Sequence, residues 1–276
     1  MTTQRRLGRL GLYGGMLVAL VVFVGPFLYA VLSSLKQPSE LNGVVKSFLP
    51  GTLYTENYTN LFRTSNFPVY LVNSLVVAVV TTALSLLIAI LAGYALARFK
   101  FAGNRLLLLS VVNMQMFPAV LMAVPLYKIL RELDMLNSRT GLTIVYVTLA
   151  LPFCIWMMRN YFLTVPIEVE EAALIDGCNM FTALWRVALP PALPGAAAAG
   201  AFCVVNVWDE FLYANTFIDS DENRTLSVGL NSLIGQYTTD WGQLLAGGVV
   251  MTIPVVIIFA FLQRYLTQIA GGGVKG

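Results

Sequence analysis

The sequence predicts an all-α, polytopic membrane protein with six transmembrane helices, and three observations carry that prediction. Of 276 residues, 58% are apolar and only 11% are charged, with a mean hydropathy of +0.75. A soluble domain would need about twice that share of charged residues to cover its surface. Six separate stretches are long enough to cross a hydrocarbon layer, which takes ~20 apolar residues as a helix because each backbone polar group must be paired internally. Runs such as 75–80 and 84–91 lack the apolar-polar alternation of an outer-membrane barrel strand.

The first span, near 11–33, follows Arg5, Arg6 and Arg9 with no acid before Glu40. The positive-inside tendency places that amino terminus in the cytoplasm. The span is too long, and lacks the small-residue cleavage site, of a removable signal peptide. Residues 35–69 carry Pro38, Asn42, Gly43, Pro50 and Gly51 with weak periodicity, which predicts an external loop holding at most short helical pieces. The second span, near 70–96, runs into Arg98, Lys100 and Arg105. The third, near 106–129, contains Pro118 and Pro125, whose missing donors set up a bend. The fourth lies near 141–159, the fifth near 193–213 and the sixth near 244–263, with a polar loop over 160–192 between the fourth and fifth. Six crossings return the carboxyl terminus to the starting side, and the chain 1–276 reads as one membrane domain.

Several chemistries are absent from the composition. There is no histidine, so a histidine-dependent triad and a His/Cys metal site are excluded. Cys154, Cys178 and Cys203 are odd in number and predict no disulfide framework. The glycines 271–273 precede Val274-Lys275-Gly276, without the Gly-Lys-Ser/Thr of a P-loop. An intramembrane enzyme is disfavoured by the scarcity of paired acids and the lack of Gly-x-Ser-x-Gly. The net charge of +3 comes from basic residues set singly at membrane edges, which calls for no nucleic acid.

The 160–192 loop has readable local structure. Pro166 suits a first helical turn, and Glu168, Glu170 and Glu171 lie near the positive end of the helix dipole. Gly177 suits a left-handed terminating position, so a helix over about 166–176 follows. Val169, Ala172, Ala173 and Asp176 share one arc of it, thin enough for another body to approach closely. An amphipathic helix lying on the bilayer would instead carry bulky apolar groups and Lys/Arg.

Glu171-Ala172-Ala173, three residues, Gly177, nine residues and Val187-Ala188-Leu189-Pro190 resemble the EAA loop of binding-protein-dependent ABC importer permeases, with Val187 for the usual Ile. Asn73-Ser74-Leu75-Val76-Val77-Ala78, Gly93-Tyr94-Ala95-Leu96-Ala97-Arg98, Met116-Phe117-Pro118, Trp208-Asp209-Glu210-Phe211-Leu212 and the Gly-Val-Lys-Gly end extend the resemblance along the chain. It is closest to the carbohydrate importers, the G-type permeases of maltose-type transporters. Asp209 departs from the Asn usual there. The resemblance implies a non-catalytic subunit of a bacterial or archaeal cell (inner) membrane, with both termini cytoplasmic. The loop helix would be a cytoplasmic coupling helix that docks into an ATPase through Glu170, Glu171, Ala172, Ala173, Asp176, Gly177, Leu189 and Pro190. Implied partners are a companion permease in a heterodimer, two cytoplasmic ATPase subunits that bind ATP and Mg, an extracytoplasmic solute-binding protein, membrane lipid and a sugar-like solute. This chain would itself bind no cofactor. Residues 273–276 resemble a tail that reaches the ATPase in some relatives. A glycerol phosphate derivative as solute, and an ion-coupled secondary transporter, stand as alternatives.

Polar residues within spans must face protein or water, which makes Asn113, Gln115, Asn206, Asp209 and Glu210 candidates for the solute path. Helix-to-helix hydrogen bonding competes for Asn113, Gln115 and Asn206. An external gate or structural cap competes for Asp209 and Glu210. Tyr213, Tyr237 and Trp241 are external aromatics that solvation at a membrane interface also explains.

Overall fold

The structure is a computed structural model in which residues 3–43, 47–235 and 239–272 are described. Tyr237 and the 273–276 tail lie outside the described residues. In chain order the helices are α1 (Thr3–Ser34), α2 (Pro38–Asn42), α3 (Glu56–Arg63), α4 (Phe67–Arg98), α5 (Asn104–Asn113), α6 (Ala119–Glu132), α7 (Arg139–Thr164), α8 (Ile167–Ile175), α9 (Met180–Ala183), α10 (Leu189–Trp208), α11 (Leu212–Phe217), α12 (Leu226–Asn231) and α13 (Trp241–Gly272). Among the described residues the only β pairing is an isolated bridge between Ile234 and Thr239. Among the described residues five helical runs are long and apolar enough to cross a membrane, six when a bent pair is taken as one span.

That pair is the predicted third span. α5 passes through a 3₁₀ turn at Met114–Met116, and α6 leaves at 103° to α5. The break falls at Phe117 (ψ 129°) and Pro118 (ψ 127°), both extended. Proline pushes its predecessor out of the α region and offers no N–H to carry the ladder across. Pro125, by contrast, is accommodated inside α6.

The fifth span starts earlier than the sequence predicts. Helix begins at Met180, continues through a π turn at Leu184–Ala188 and runs to Trp208, so residues 180–192 of the supposed loop belong to this span. Pro190 and Pro191 follow the π turn directly within this run, and Leu189 just before them donates to Leu184 O, the five-residue spacing of a π turn. Asp209 closes the helix, its N–H bonded to Val205 O at 3.1 Å, so the span stops short of 213.

The chain divides into two compact units, 1–67 with 230–253, and 68–229 with 254–276. In the first, Asn57 donates to Ser34 O at 2.8 Å and Lys36 O at 2.9 Å, tying α3 to the end of α1. Gly242 lies against the Asn57 amide, where a Cβ would come within 2.3 Å of Oδ1. The outward side chains of α1 from Leu12 to Phe23 are apolar and exposed, as a lipid-facing helix requires.

In the second unit, α7 packs along α10. Gly195 sits on the Tyr161 ring, where a Cβ would meet Cγ at 2.2 Å, so the glycine leaves the space on α10 that this ring of α7 fills. At the start of α4, the Asn73 amide donates to Glu222 O (2.8 Å) and Arg224 O (2.9 Å) and accepts from Arg139, while Ser74 Oγ accepts from Leu226 N at 2.7 Å. Those contacts give the Asn-Ser pair of the sequence motif a structural purpose.

Candidate functional site

The loop helix α8 is bounded by its own chemistry. Pro166 caps it in extended conformation, Glu168 and Glu170 lie in its first turn and Asp176 closes it. Gly177 then turns left-handed at φ +90°, with its N–H on Leu174 O and the Cys178 N–H on Ala173 O at 3.0 Å. This double bond pattern is a Schellman ending. A Cβ at Gly177 would meet nothing within 4 Å, so glycine is required there by backbone conformation and not by space. Asn179 immediately starts the next helix, its side chain accepting from Thr182 N at 2.8 Å.

Glu170 turns inward and is 4% exposed. Its Oε1 accepts from Arg98 Nε at 2.8 Å and from Nη2, and its Oε2 accepts from Tyr94 O–H at 2.8 Å. Arg98 Nη2 also donates to Val165 O at 2.9 Å. One guanidinium therefore joins the end of α4, the end of α7 and the first turn of α8. Tyr94 is held in place by an edge contact with Phe162, centroids 5.4 Å apart. Gly93 lets α4 meet α7 here, since a Cβ would lie 2.8 Å from Met158 Cβ. A buried pair of this kind costs about 3–5 kcal/mol to break from one side, because the remaining charge is left uncompensated.

The other face of α8 is open. Glu171, Ala172 and Asp176 are exposed, Val169 is 49% exposed and Ile175 86%, while Ala173 is half-buried. Leu189 is buried at the start of α10 and Pro190 is exposed beside it. The sequence-derived set thus splits: Glu170 and Leu189 brace the segment from within, and Glu171, Ala172, Asp176, Gly177 and Pro190 face outward. Tyr94 and Arg98 were missed as members, although both stand in the Gly-Tyr-Ala-Leu-Ala-Arg stretch. The available signal was an arginine at the end of a hydrophobic span with no acid nearby in sequence.

A second site is a cavity of about 480 Å³, within the usual size range of small-ligand pockets. Gln115, Phe117, Tyr146, Phe202, Asn206 and Glu210 are among its lining residues. The break between α5 and α6 puts Gln115 and Phe117 there. Asn113 and Asp209 are exposed and are not on this wall. Glu210 is engaged in structure: it accepts from Tyr146 O–H, from Tyr213 N at 2.9 Å and from Ala214 N at 3.1 Å, and its carbonyl accepts from Ser227 Oγ. It caps α11. Asn206 donates to Phe202 O one turn back at 2.8 Å. Tyr213 donates to Ala119 O at 2.9 Å, and burial followed by the Glu210 charge holds its phenol above the ordinary range. Desolvation likewise raises the Asp209 carboxyl.

Residues 85–269 match the family described as binding-protein-dependent transport system inner membrane component. The chain is 35% identical to the inner membrane ABC transporter permease protein YcjP of Escherichia coli, covering 100% of this chain and 99% of that protein. It is 37% identical to the sulfoquinovosyl glycerol transport system permease protein SmoH of Agrobacterium fabrum, over 94% of this chain and 91% of the other. Among solved structures, a bacterial ABC transporter involved in the import of alginate has a chain that superimposes with a TM-score of 0.83 at 22% identity, covering 96% of this chain and 98% of that one. This last likeness is one of fold.

Proposed function

We propose, because this chain belongs to the family of binding-protein-dependent transport system inner membrane components, that it is the permease subunit of an ATP-driven importer for a sugar or sugar derivative. The observation that carries the proposal is α8, locked from inside by Glu170 and Arg98 and open on the face that holds Glu171, Ala172 and Asp176. ATP and Mg belong to two cytoplasmic ATPase subunits, and this face of α8 seats against one of them. That reading places both termini and α8 in the cytoplasm. When the ATPases close, α8 moves, and Arg98 carries the displacement into the ends of α4 and α7. The unbroken run from Met180 to Trp208 carries it into the fifth span.

A companion permease completes the path, and an extracytoplasmic binding protein delivers the solute. The wall of the 480 Å³ cavity suits a sugar, with aromatic faces at Phe117, Tyr146 and Phe202 for stacking and amides at Gln115 and Asn206 for hydroxyls. Sugar chemistry is favoured over a glycerol phosphate because the one carboxylate on that wall, Glu210, would repel a phosphate. The test is uptake by proteoliposomes holding the assembled transporter. ATP-dependent accumulation of a labelled sugar, lost in Glu171→Lys while the complex still assembles, is the expected result. Uptake driven by an ion gradient without ATP would overturn the reading.

A further inference from the structure

The end of α4, the turn at 99–103, the start of α5 and Arg159 of α7 enclose a cleft of about 990 Å³. Its wall is largely apolar, built from side chains such as Leu96, Phe99, Leu106 and Leu109. Three cations stand on it, Lys100, Arg105 and Arg159, and among the described residues no acid lines it. Arg159 Nε is buried and meets no hydrogen-bond partner. The other arginine at this end of α4, Arg98, is paired with Glu170 and also donates to Val165 O. Among the described residues none of the three cleft cations is in an ion pair.

We infer that this cleft binds an anionic phospholipid, its phosphate taken by Arg159, Arg105 and Lys100 and an acyl chain laid along Leu106, Leu109 and Phe99. Three cations on one apolar wall, with no ion-pair partner among the described residues, call for an anion. A free phosphate would answer the charge and leave the apolar wall wet. A phospholipid answers both, and basic pockets between membrane helices are where such headgroups are held. The position agrees, because the cleft opens where two apolar helices reach the membrane edge, at the same end as α8. A lipid seated there braces the turn after Arg98, so the lipid composition of the membrane would tune how firmly α8 is held. The inference does not depend on which solute is carried.

The experiment uses the full-length chain in nanodiscs of equal phosphatidylglycerol and phosphatidylcholine, with the lipid retained on release read by native mass spectrometry. Phosphatidylglycerol is expected to be retained over phosphatidylcholine on the order of tenfold, given the pull of several basic groups on an anionic headgroup. The double variant Lys100→Gln/Arg105→Gln alters two exposed side chains and is expected to lose most of that preference with unchanged thermal unfolding. Adding Arg159→Gln should remove the rest; if that variant does not fold, the double variant decides alone. Equal retention of the two lipids, or an undiminished preference in the double variant, overturns the proposal. So does inorganic phosphate that displaces the lipid and reproduces its thermal shift, or a photocrosslinker at Leu106 that captures a polypeptide in native membranes.

Discussion

Glu170 and Glu210 are the two inward-turned carboxylates at opposite ends of α7, and they are held in different ways. Glu210 is met by Tyr146 near the start of the helix, while Glu170 is met by Arg98, whose guanidinium also reaches Val165 just past its end. From Tyr146 to Val165 is 19 steps along the chain, ~29 Å at the rise of an α-helix. Glu210 accepts from a phenol and two backbone N–H groups and has no cationic partner in that cage. Glu170 sits in a pair with side chains 9% and 5% exposed. The neutral cage joins the end of α10 to α7 and to the first turn of α11 without a cation, whereas the ion pair joins the ends of α4 and α7 to α8. Charge is thus used where force is proposed to pass, and neutral hydrogen bonding where a cavity wall is only shaped.

The largest effect should come from Arg98→Ala, which strands the Glu170 charge in a buried site. A loss of about 3–5 kcal/mol is expected in unfolding of the purified chain in mixed micelles. Exchanging the pair, with Arg98→Glu and Glu170→Arg together, should recover part of the stability and of ATP-dependent uptake; if each single variant unfolds like the native chain, the contrast between the two glutamates fails. Glu210→Gln should cost less, about 1–2 kcal/mol, because an amide oxygen still accepts from Tyr146 or one N–H while the charge-assisted part is lost. Its sugar uptake should weaken through affinity, with ATP hydrolysis still coupled. A Glu210→Gln loss equal to that of Arg98→Ala would erase the distinction.

Gly177→Ala forces a side chain into a left-handed position that has room but the wrong backbone preference, at about 1–2 kcal/mol. Gly177→Asn, which tolerates that conformation, should recover roughly half in the same unfolding assay. The smallest effect is expected for Asp209→Asn. Asp209 is solvent-accessible, but partial desolvation at the end of α10 raises its carboxyl above the usual range, so between the two ranges the folded chain binds a proton that the unfolded chain has lost. Stability contributed here is present at low pH and declines as pH rises from the ordinary carboxylate range to the raised one. The Asn variant should lack that decline, seen as a flatter pH dependence of the melting temperature.

The end signals of α8 were legible because they are local: Pro166 and Gly177 act on their own backbone angles, and the structure bounds the helix between them. The break at Pro118 was legible only as a bend, since its 103° depends on what α5 and α6 pack against. The prolines at 190 and 191 fall in the predicted loop, yet the helical run from Met180 to Trp208 passes through them directly after a π turn. Asn206 and Gln115 were named separately and share one cavity wall, while Asn113, named beside Gln115, does not reach it. Two positions along a helix differ by 200° of rotation, and sequence alone does not say which side a 3₁₀ turn will present.

By itself the sequence determined the all-α class, the long apolar spans and the bounded helix between the fourth and fifth, since hydropathy, proline and glycine act through solvent and local backbone geometry. Only the tertiary structure decided that Glu170 belongs to Arg98, 72 residues away, and Glu210 to Tyr146, 64 residues away. Such pairings leave no periodic trace in a chain. They are set by which helix ends meet once Gly93 lets α4 close on the α7 backbone and Gly195 makes room for the Tyr161 ring.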